Sequence, residues 1–570
     1  MMLRLIREDA CHGKPIVPVA TVFNLYGGYD LRRGDSDPSF RYGGSIRQPG
    51  GPDPLPGPGQ VPFVLQLQRD LQELGFSLVG TPDGELGRHT EWAVREFQIH
   101  ARMPKVAHEL PMSSERYLDR LEAVANDSPY SGPVSGVVNL QTRAALSLWL
   151  TRRWRCPVVL EAWRMNRGQR VTREEQNFWL PSEVRDKTLQ VFARDFSGYF
   201  EGIGASQPFD SEHLIAVGKY QPFLSFEGPV SLPPRHTWPS AEITPETLMG
   251  APLSDVLQRP ESLSTFKAVR AVSEIECLGF FDCINGYDNA FLSLGPCHWI
   301  LGDGRASGTV GAGELGAFLA YYRDRHPTEA AVFLDRFGLA PAANWPEENN
   351  GAALFSTAQR KYTAWISVQD ESGAFRPLPQ RVEEAEAFRT WHWFYRFAMA
   401  ARALPNFRRR MWDMARIRLR DVLQTPWGPG IANVPDGTGT RPARIGDLYS
   451  SEAAAALILR WHIRAPAHVV NGRAATRLRE AFAKAEVPAN AGPPSQWNRA
   501  IQDRLVQALV DEVKALGSKE LRDQFDYLLR WPTVWGSNPR QYQLSPVLGP
   551  LSRDPRSFRL DLSGLPPRPF

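Results

Sequence analysis

Glu276 is a carboxylate placed where a helical residue should be buried. It lies in the stretch Phe266–Leu301, FKAVRAVSEIECLGFFDCINGYDNAFLSLGPCHWIL. On a helical wheel, Ala268, Val269, Val272 and Ile275 form one apolar arc, and Glu276 falls inside it. Glu274 falls on the opposite side, near Lys267 and Arg270. Its spacing from Arg270 predicts an ion pair on a solvated face. A carboxyl on a half-buried helix end is costly to ionise, so the pKa of Glu276 is expected to rise. A carboxylic acid kept protonated near neutral pH is what a general acid needs at a glycosidic bond. A carboxylate that caps backbone or pairs with a distant basic residue would occupy the same position.

The elements around this residue are a helix ending near Glu276 and Gly279, a turn-rich stretch, and an apolar strand-like run. The turn stretch holds Asp282 and Asp288. Either could be the second carboxylate of an inverting hydrolase, holding water at about 6.5–9.5 Å from the acid. Asp and Asn also make turns for purely local reasons, which is the better account of Asp282.

The order Glu276-Cys277-Leu278-Gly279, then Asp282, Asn285, and Ser293-Leu294-Gly295-Pro296-Cys297-His298, resembles the core of the lysozyme-like superfamily. In layout it is similar to lytic transglycosylases and endolysins, whose pattern is a helix ending E-S-G, a short polar loop, then S-x-G-x-x-Q. The resemblance implies Glu276 as the single acid/base, with Ser293, His298, Asn285 and Tyr287 positioning substrate. Cys277 stands where that family has Ser, and His298 where it usually has Gln. The activity implied is cleavage of the β-1,4 bond of peptidoglycan glycan strands, as a muramidase or a lytic transglycosylase. That chemistry requires no metal and no cofactor.

A second motif lies nearer the N-terminus. Val64 to Pro104 reads as a helix with Leu67, Leu71 and Leu74 on one stripe, a Thr81-Pro82-Asp83-Gly84 turn, and a second helix with Ala93, Val94 and Phe97 as its apolar face. Leu67-Gln68, Leu71, Leu74-Gly75, Asp83-Gly84, Gly87, Thr90, Ala93-Val94 and Phe97-Gln98 closely resemble the peptidoglycan-binding module found on many wall hydrolases. The resemblance implies wall contact through loop residues such as Asp83, Gly84, Arg88 and Thr90. Gly136, Thr142 and Ala145-Leu146 echo the second half of the module, so it extends to about 150 or is followed by a degenerate half-repeat.

The chain has 570 residues, too many for one ordinary core. The Pro/Gly stretch 48–62 reads as a linker after an N-terminal segment, 1–47. The remaining divisions expected are a wall-binding domain over 63–150, a connecting helical region over 151–265, a catalytic domain over 266–530 and a tail over 531–570. Within 151–265, Ser182 caps an expected helix running to Tyr199, and Phe223 to Leu232 looks like a strand. The expected fold class is mainly α with some β (α+β): a small helical wall-binding module plus a lysozyme-like helical catalytic domain.

Net charge is only +4, which makes no case for nucleic acid. Five cysteines are too few and too sparse for a disulfide framework, which favours reduced thiols. Charged residues break any N-terminal apolar region, and no stretch is long enough to span a membrane. The expectation is a protein made in the cytoplasm that reaches the wall or periplasm by lysis or a route other than a signal peptide. Its partner would be bacterial peptidoglycan, within a phage or secretion-system setting. Two other readings stand beside this one: a chitosanase-like glycan hydrolase, and a non-enzymatic wall-binding or assembly component.

Overall fold

A computed structural model describes residues 24–48, 51, 55–111, 117–166, 169–174, 189–198, 213–217, 223–227, 243–277, 279–285, 290–304, 308–347, 354–472, 476–532 and 548–567. Helices dominate, with several small antiparallel sheets, so the mainly α expectation holds at that level.

The N-terminal unit is built on three helices: α1 (Phe63–Glu73), α2 (Arg88–His100) and α3 (Leu140–Arg152). Their apolar faces meet at Leu67, Leu71, Phe97, Leu146 and Trp149, all essentially sealed from solvent. A sheet of β1 (Lys105–Glu109), β2 (Leu121–Ala125) and β3 (Trp154–Arg155) closes one side, with β1 in the middle. The described residues before the Pro/Gly stretch, from 24 onward, belong to this unit and are not separate from it. Asp37 accepts from the Val64 and Leu65 amides at 3.1 and 2.8 Å, supplying the cap that Pro62 cannot. Tyr26 donates to Asp70 at 2.8 Å. The Pro/Gly stretch therefore connects two parts of one body.

The region expected to be a helical connector is β-sheet over its described residues from 154 to 227 and helical from Pro245 onward. Strands β4 (Val158–Asn166), β5 (Gln169–Glu174), β6 (Leu189–Asp195), β7 (His213–Val217) and β8 (Phe223–Glu227) continue into β9 (Ile284–Asn285), β10 (Ser293–Leu294) and β11 (Trp299–Ile300). The order is β11-β10-β9-β8-β7-β6-β4-β5, antiparallel throughout. The expected helix to Tyr199 is thus corrected over Leu189–Asp195, which pairs with both Val158–Arg164 and His213–Ile215. Long-range pairing overrides local helix signals there. Of the strand expected over Phe223–Leu232, Phe223–Glu227 is present, and 228–232 lie outside the described residues.

The C-terminal body packs helices around α4 (Pro260–Cys277), with α5 (Glu314–Arg325), α6 (Trp391–Ala403), α7 (Pro405–Leu423), α8 (Glu452–Arg464), α9 (Arg499–Ala515) and α10 (Lys519–Arg530). Helix α4 is buried on nearly every side. Its polar residues are met in turn: Ser262 donates to Asp561 at 3.0 Å, Thr265 to the Arg559 carbonyl at 3.0 Å, and Lys267 to Glu452 at 2.5 Å. The described part of the expected tail, 548–567, is consequently a strap along α4. Trp393 and Tyr395 on α6 are core residues, at 2% and 1% exposure.

The two bodies are joined by a buried charge pair. Glu96 of α2 meets Arg396 of α6, with both side chains sealed off. Arg95 adds hydrogen bonds of 2.8 Å to the carbonyls of Val134 and Gln369. Removing one partner of a buried pair strands the other. Arg396→Met is therefore expected to cost about 3–5 kcal/mol in chemical denaturation. Adding Glu96→Leu to it should recover most of that loss.

Candidate functional site

Helix α4 carries Glu276 to its C-terminal turn, where exposed carbonyls already make the environment negative. The turn closes at Gly279, whose amide donates to the Ser273 carbonyl at 3.1 Å. Its φ is +77°, and a Cβ there would come within 2.8 Å of the Arg270 guanidinium, so only glycine fits. Arg270 in turn donates to Glu274 at 2.9 Å. The pair expected from spacing forms, but not on a solvated face. Glu274 is fully buried and also accepts from Tyr527 and from Trp531, the latter at 2.8 Å.

Glu276 is 5% exposed, as the wheel predicts. Two cations or potential cations reach it. Arg460, on α8, lies 2.6 Å from Oε1 as an ion pair without the geometry of a directed hydrogen bond. His298 Nδ1 lies 3.3 Å from Oε2. Burial alone would push this carboxyl up, but Arg460 and His298, with Arg418 farther off, outweigh it and hold the carboxyl below its ordinary value. The expected rise is therefore corrected: Glu276 is a carboxylate here, not a stored acid. Arg460 also donates to Gln524 on α10 at 2.9 Å, which fixes its direction.

His298 comes from the hairpin between β10 and β11. Ser293 pairs with Ile300 and Leu294 with Trp299, leaving 295–298 as the connection. Gly295 and His298 both take positive φ, +80° and +55°. For a histidine this conformation costs roughly 1–3 kcal/mol. It brings the imidazole back over the strand, where Nε2 lies 2.7 Å from Ser293 Oγ. Ser293 is fully buried, whereas the His298 side chain keeps 17% exposure. The neighbouring thiols of Cys277 and Cys297 are pushed up by burial, Cys297 to about 12, so they stand as neutral thiols.

The structure thus brings Glu276, Ser293 and His298 together. It places Asp282 elsewhere: fully buried and ion-paired to Arg402 of α6. A carboxylate so held is a structural anchor rather than the holder of a catalytic water. Asn285 lies on β9, its backbone paired between Phe223 and Ser293. Tyr287 and Asp288 lie outside the described residues. Arg460 was not among the expected site residues. Its one signal is a basic side chain inside the apolar run SSEAAAALILRWHI.

In the N-terminal unit, Gln68 organises the turn before α2. Its Oε1 accepts from the Asp83 and Gly84 amides at 2.9 and 2.8 Å, and its Nε2 donates to Asp83 Oδ1 at 2.8 Å and Thr90 Oγ1 at 3.0 Å. Gly84, with φ +78°, is packed against Asp37, and Thr90 is 2% exposed. These two shape the turn from inside. Asp83 is exposed and Arg88 partly so. The same device recurs one helix later. Gln98 Oε1 accepts from Gly136 N at 2.9 Å, and its Nε2 donates to Thr142 Oγ1 at 3.1 Å. The echo seen in the sequence is a second half-unit that shares α2.

Among the described residues, no group of three or more His, Cys, Asp or Glu is placed to hold a metal ion, and no helix is long and apolar enough to cross a membrane. Residues 60–106 match the family model described as "Putative peptidoglycan binding domain". No curated protein and no solved structure matches the chain.

A carboxylate held by Arg460 should make stability depend on pH in one direction. Its contribution is complete above the ordinary glutamate range and is lost as pH falls through its lowered value. Glu276→Gln is expected to cost about 3–5 kcal/mol near neutral pH, because Arg460 is left buried and unpaired. Denaturation of both proteins from pH 7 downward should show the gap narrowing in acid.

Proposed function

We propose that this protein acts at bacterial peptidoglycan, which it engages through the unit containing residues 60–106. The match of those residues to a peptidoglycan-binding family carries the reading, and the Gln68-braced turn supplies the physical basis. That turn holds Asp83 and the adjoining Arg88 at the surface, where a carboxylate and a guanidinium suit the amide, hydroxyl and carboxyl groups of wall polymer. Wild type is expected to sediment with purified sacculi. Arg88→Ala should weaken retention about ten-fold, the loss of one charge-assisted hydrogen bond, without a shift in Tm. A wild type that stays in the supernatant would contradict the reading.

A second reading, glycan-strand cleavage at Glu276, is favoured by the meeting of Glu276, Ser293 and His298, which the sequence resemblance groups together. In it, Glu276 protonates the leaving oxygen of the β-1,4 bond. Either the same residue then accepts the muramyl hydroxyl proton, or a water attacks. Because Glu276 is ionised beside Arg460, this route demands that substrate separate the pair and raise the carboxyl pKa. Digestion of sacculi with mass spectrometry of the soluble products tests it. Anhydro-muramyl ends or new reducing ends, absent with a folded Glu276→Gln protein, are the expected outcome. No soluble fragments from wild type would remove the reading.

A further inference from the structure

We propose that Ser293, His298 and Glu276 form a nucleophilic relay that removes small acyl groups, such as acetyl esters, from wall glycan. The proposal rests on the wall reading for its substrate class, but its chemistry rests on the site alone.

Three observations converge on it. The first is connectivity. Ser293 Oγ meets His298 Nε2 at 2.7 Å, and the opposite ring nitrogen, Nδ1, faces Glu276 Oε2 at 3.3 Å. A carboxylate on Nδ1 fixes the tautomer that leaves Nε2 as acceptor, so the serine proton points at its base. The second is that the carboxylate's other oxygen is occupied by Arg460, which is itself held by Gln524. An orienting group must be ionised and held in place, and the Arg460 ion pair favours both for Glu276. A general acid must carry a proton, which this environment opposes. The third is backbone strain. His298 is held in the left-handed region, in the connection that turns its ring over Ser293. Other described non-glycine residues share this conformation, so it supports the relay through the ring position it sets.

The chemistry balances without an added oxidant, reductant or metal. Ser293 Oγ attacks the ester carbonyl while its proton passes to His298 Nε2. The bond from carbonyl carbon to glycan oxygen breaks, and that oxygen takes the proton from the imidazolium. Water, deprotonated by His298, then attacks the acyl-serine. The acid leaves and the serine is restored. Glu276 stays ionised throughout and stabilises the imidazolium.

Burial sets the size of the substrate. Ser293 has no solvent exposure, and only the imidazole edge of His298 is reachable. Attack by Oγ therefore requires the substrate to enter at that imidazole edge, which favours a small acyl group over a peptide. The unit matching the peptidoglycan-binding family would deliver such glycan.

The test uses the full chain with p-nitrophenyl acetate, with O-acetylated sacculi, and with a fluorophosphonate probe. Wild type is expected to release acetate from both substrates and to carry the probe on Ser293 by mass spectrometry. Ser293→Ala, a small change unlinked from the Arg460 pair, should lose about a thousand-fold in turnover with Tm unchanged. Glu276→Asp should retain part of the rate that Glu276→Gln loses. Wild type that neither takes the label nor releases acetate from either substrate would overturn the proposal. So would a Ser293→Ala protein with undiminished turnover. Turnover of p-nitrophenyl acetate by a protein that does not sediment with sacculi would uphold the relay and contradict only the wall reading.

Discussion

An ionised carboxylate cannot be carried to the buried end of a helix without cations to receive it. Glu276 meets that constraint with Arg460 from α8 as the cation and with Nδ1 of His298, from the β10–β11 hairpin, as a polar partner. The helix end adds to the demand, because its unpaired carbonyls repel the same charge. Satisfying it ties three remote parts of the chain together. Helix α8 must lie along α4, the hairpin must fold over the end of α4, and α10 must supply Gln524 to steer Arg460. The positive φ at His298 is the local cost of bringing its ring to the carboxylate. Much of the packing around α4 follows from housing this one charge and the second buried pair, Arg270–Glu274.

Charge burial also explains why the unit containing residues 60–106 is not a tethered accessory. A flexible linker would let a module move freely, but Glu96–Arg396 and the Arg95 contacts lock α2 to the helical body. The segment before the Pro/Gly loop caps α1 through Asp37 and so cannot be separated from the unit it precedes. The Gln68-braced turn and the Glu276 cluster are therefore parts of one connected structure.

What could be read from sequence was whatever local spacing controls. The helix ending at Glu276, its glycine stop, and the Gln68–Asp83–Gly84–Thr90 turn are all written within short stretches. The burial of Glu276 was legible on the wheel, but the sign of its pKa shift was not. That sign depends on Arg460, far along the chain in an alanine-rich helix. Glu274 shows the same limit, since its spacing from Arg270 was readable while Tyr527 and Trp531, which bury it, were not. The sheet through Leu189–Asp195 was missed because Val191-Phe192-Ala193 suits a helix or a strand equally. Pairing with Val158–Arg164 decides between them, and no local pattern announces it. Asp282 and Asp288 sit on similar turn-like sequence, and only the fold shows that Asp282 belongs to Arg402.

The central claim is that Glu276 is held as a carboxylate by Arg460 and His298. The most direct measurement is a carboxyl carbon NMR titration of protein labelled at glutamate, with the Glu276 signal assigned by its loss in Glu276→Gln. The account predicts that this carboxyl titrates below the ordinary glutamate value and that Arg460→Met moves it upward. A carboxyl titrating above that value in the wild type would contradict the account and return Glu276 to the role of a proton-carrying acid.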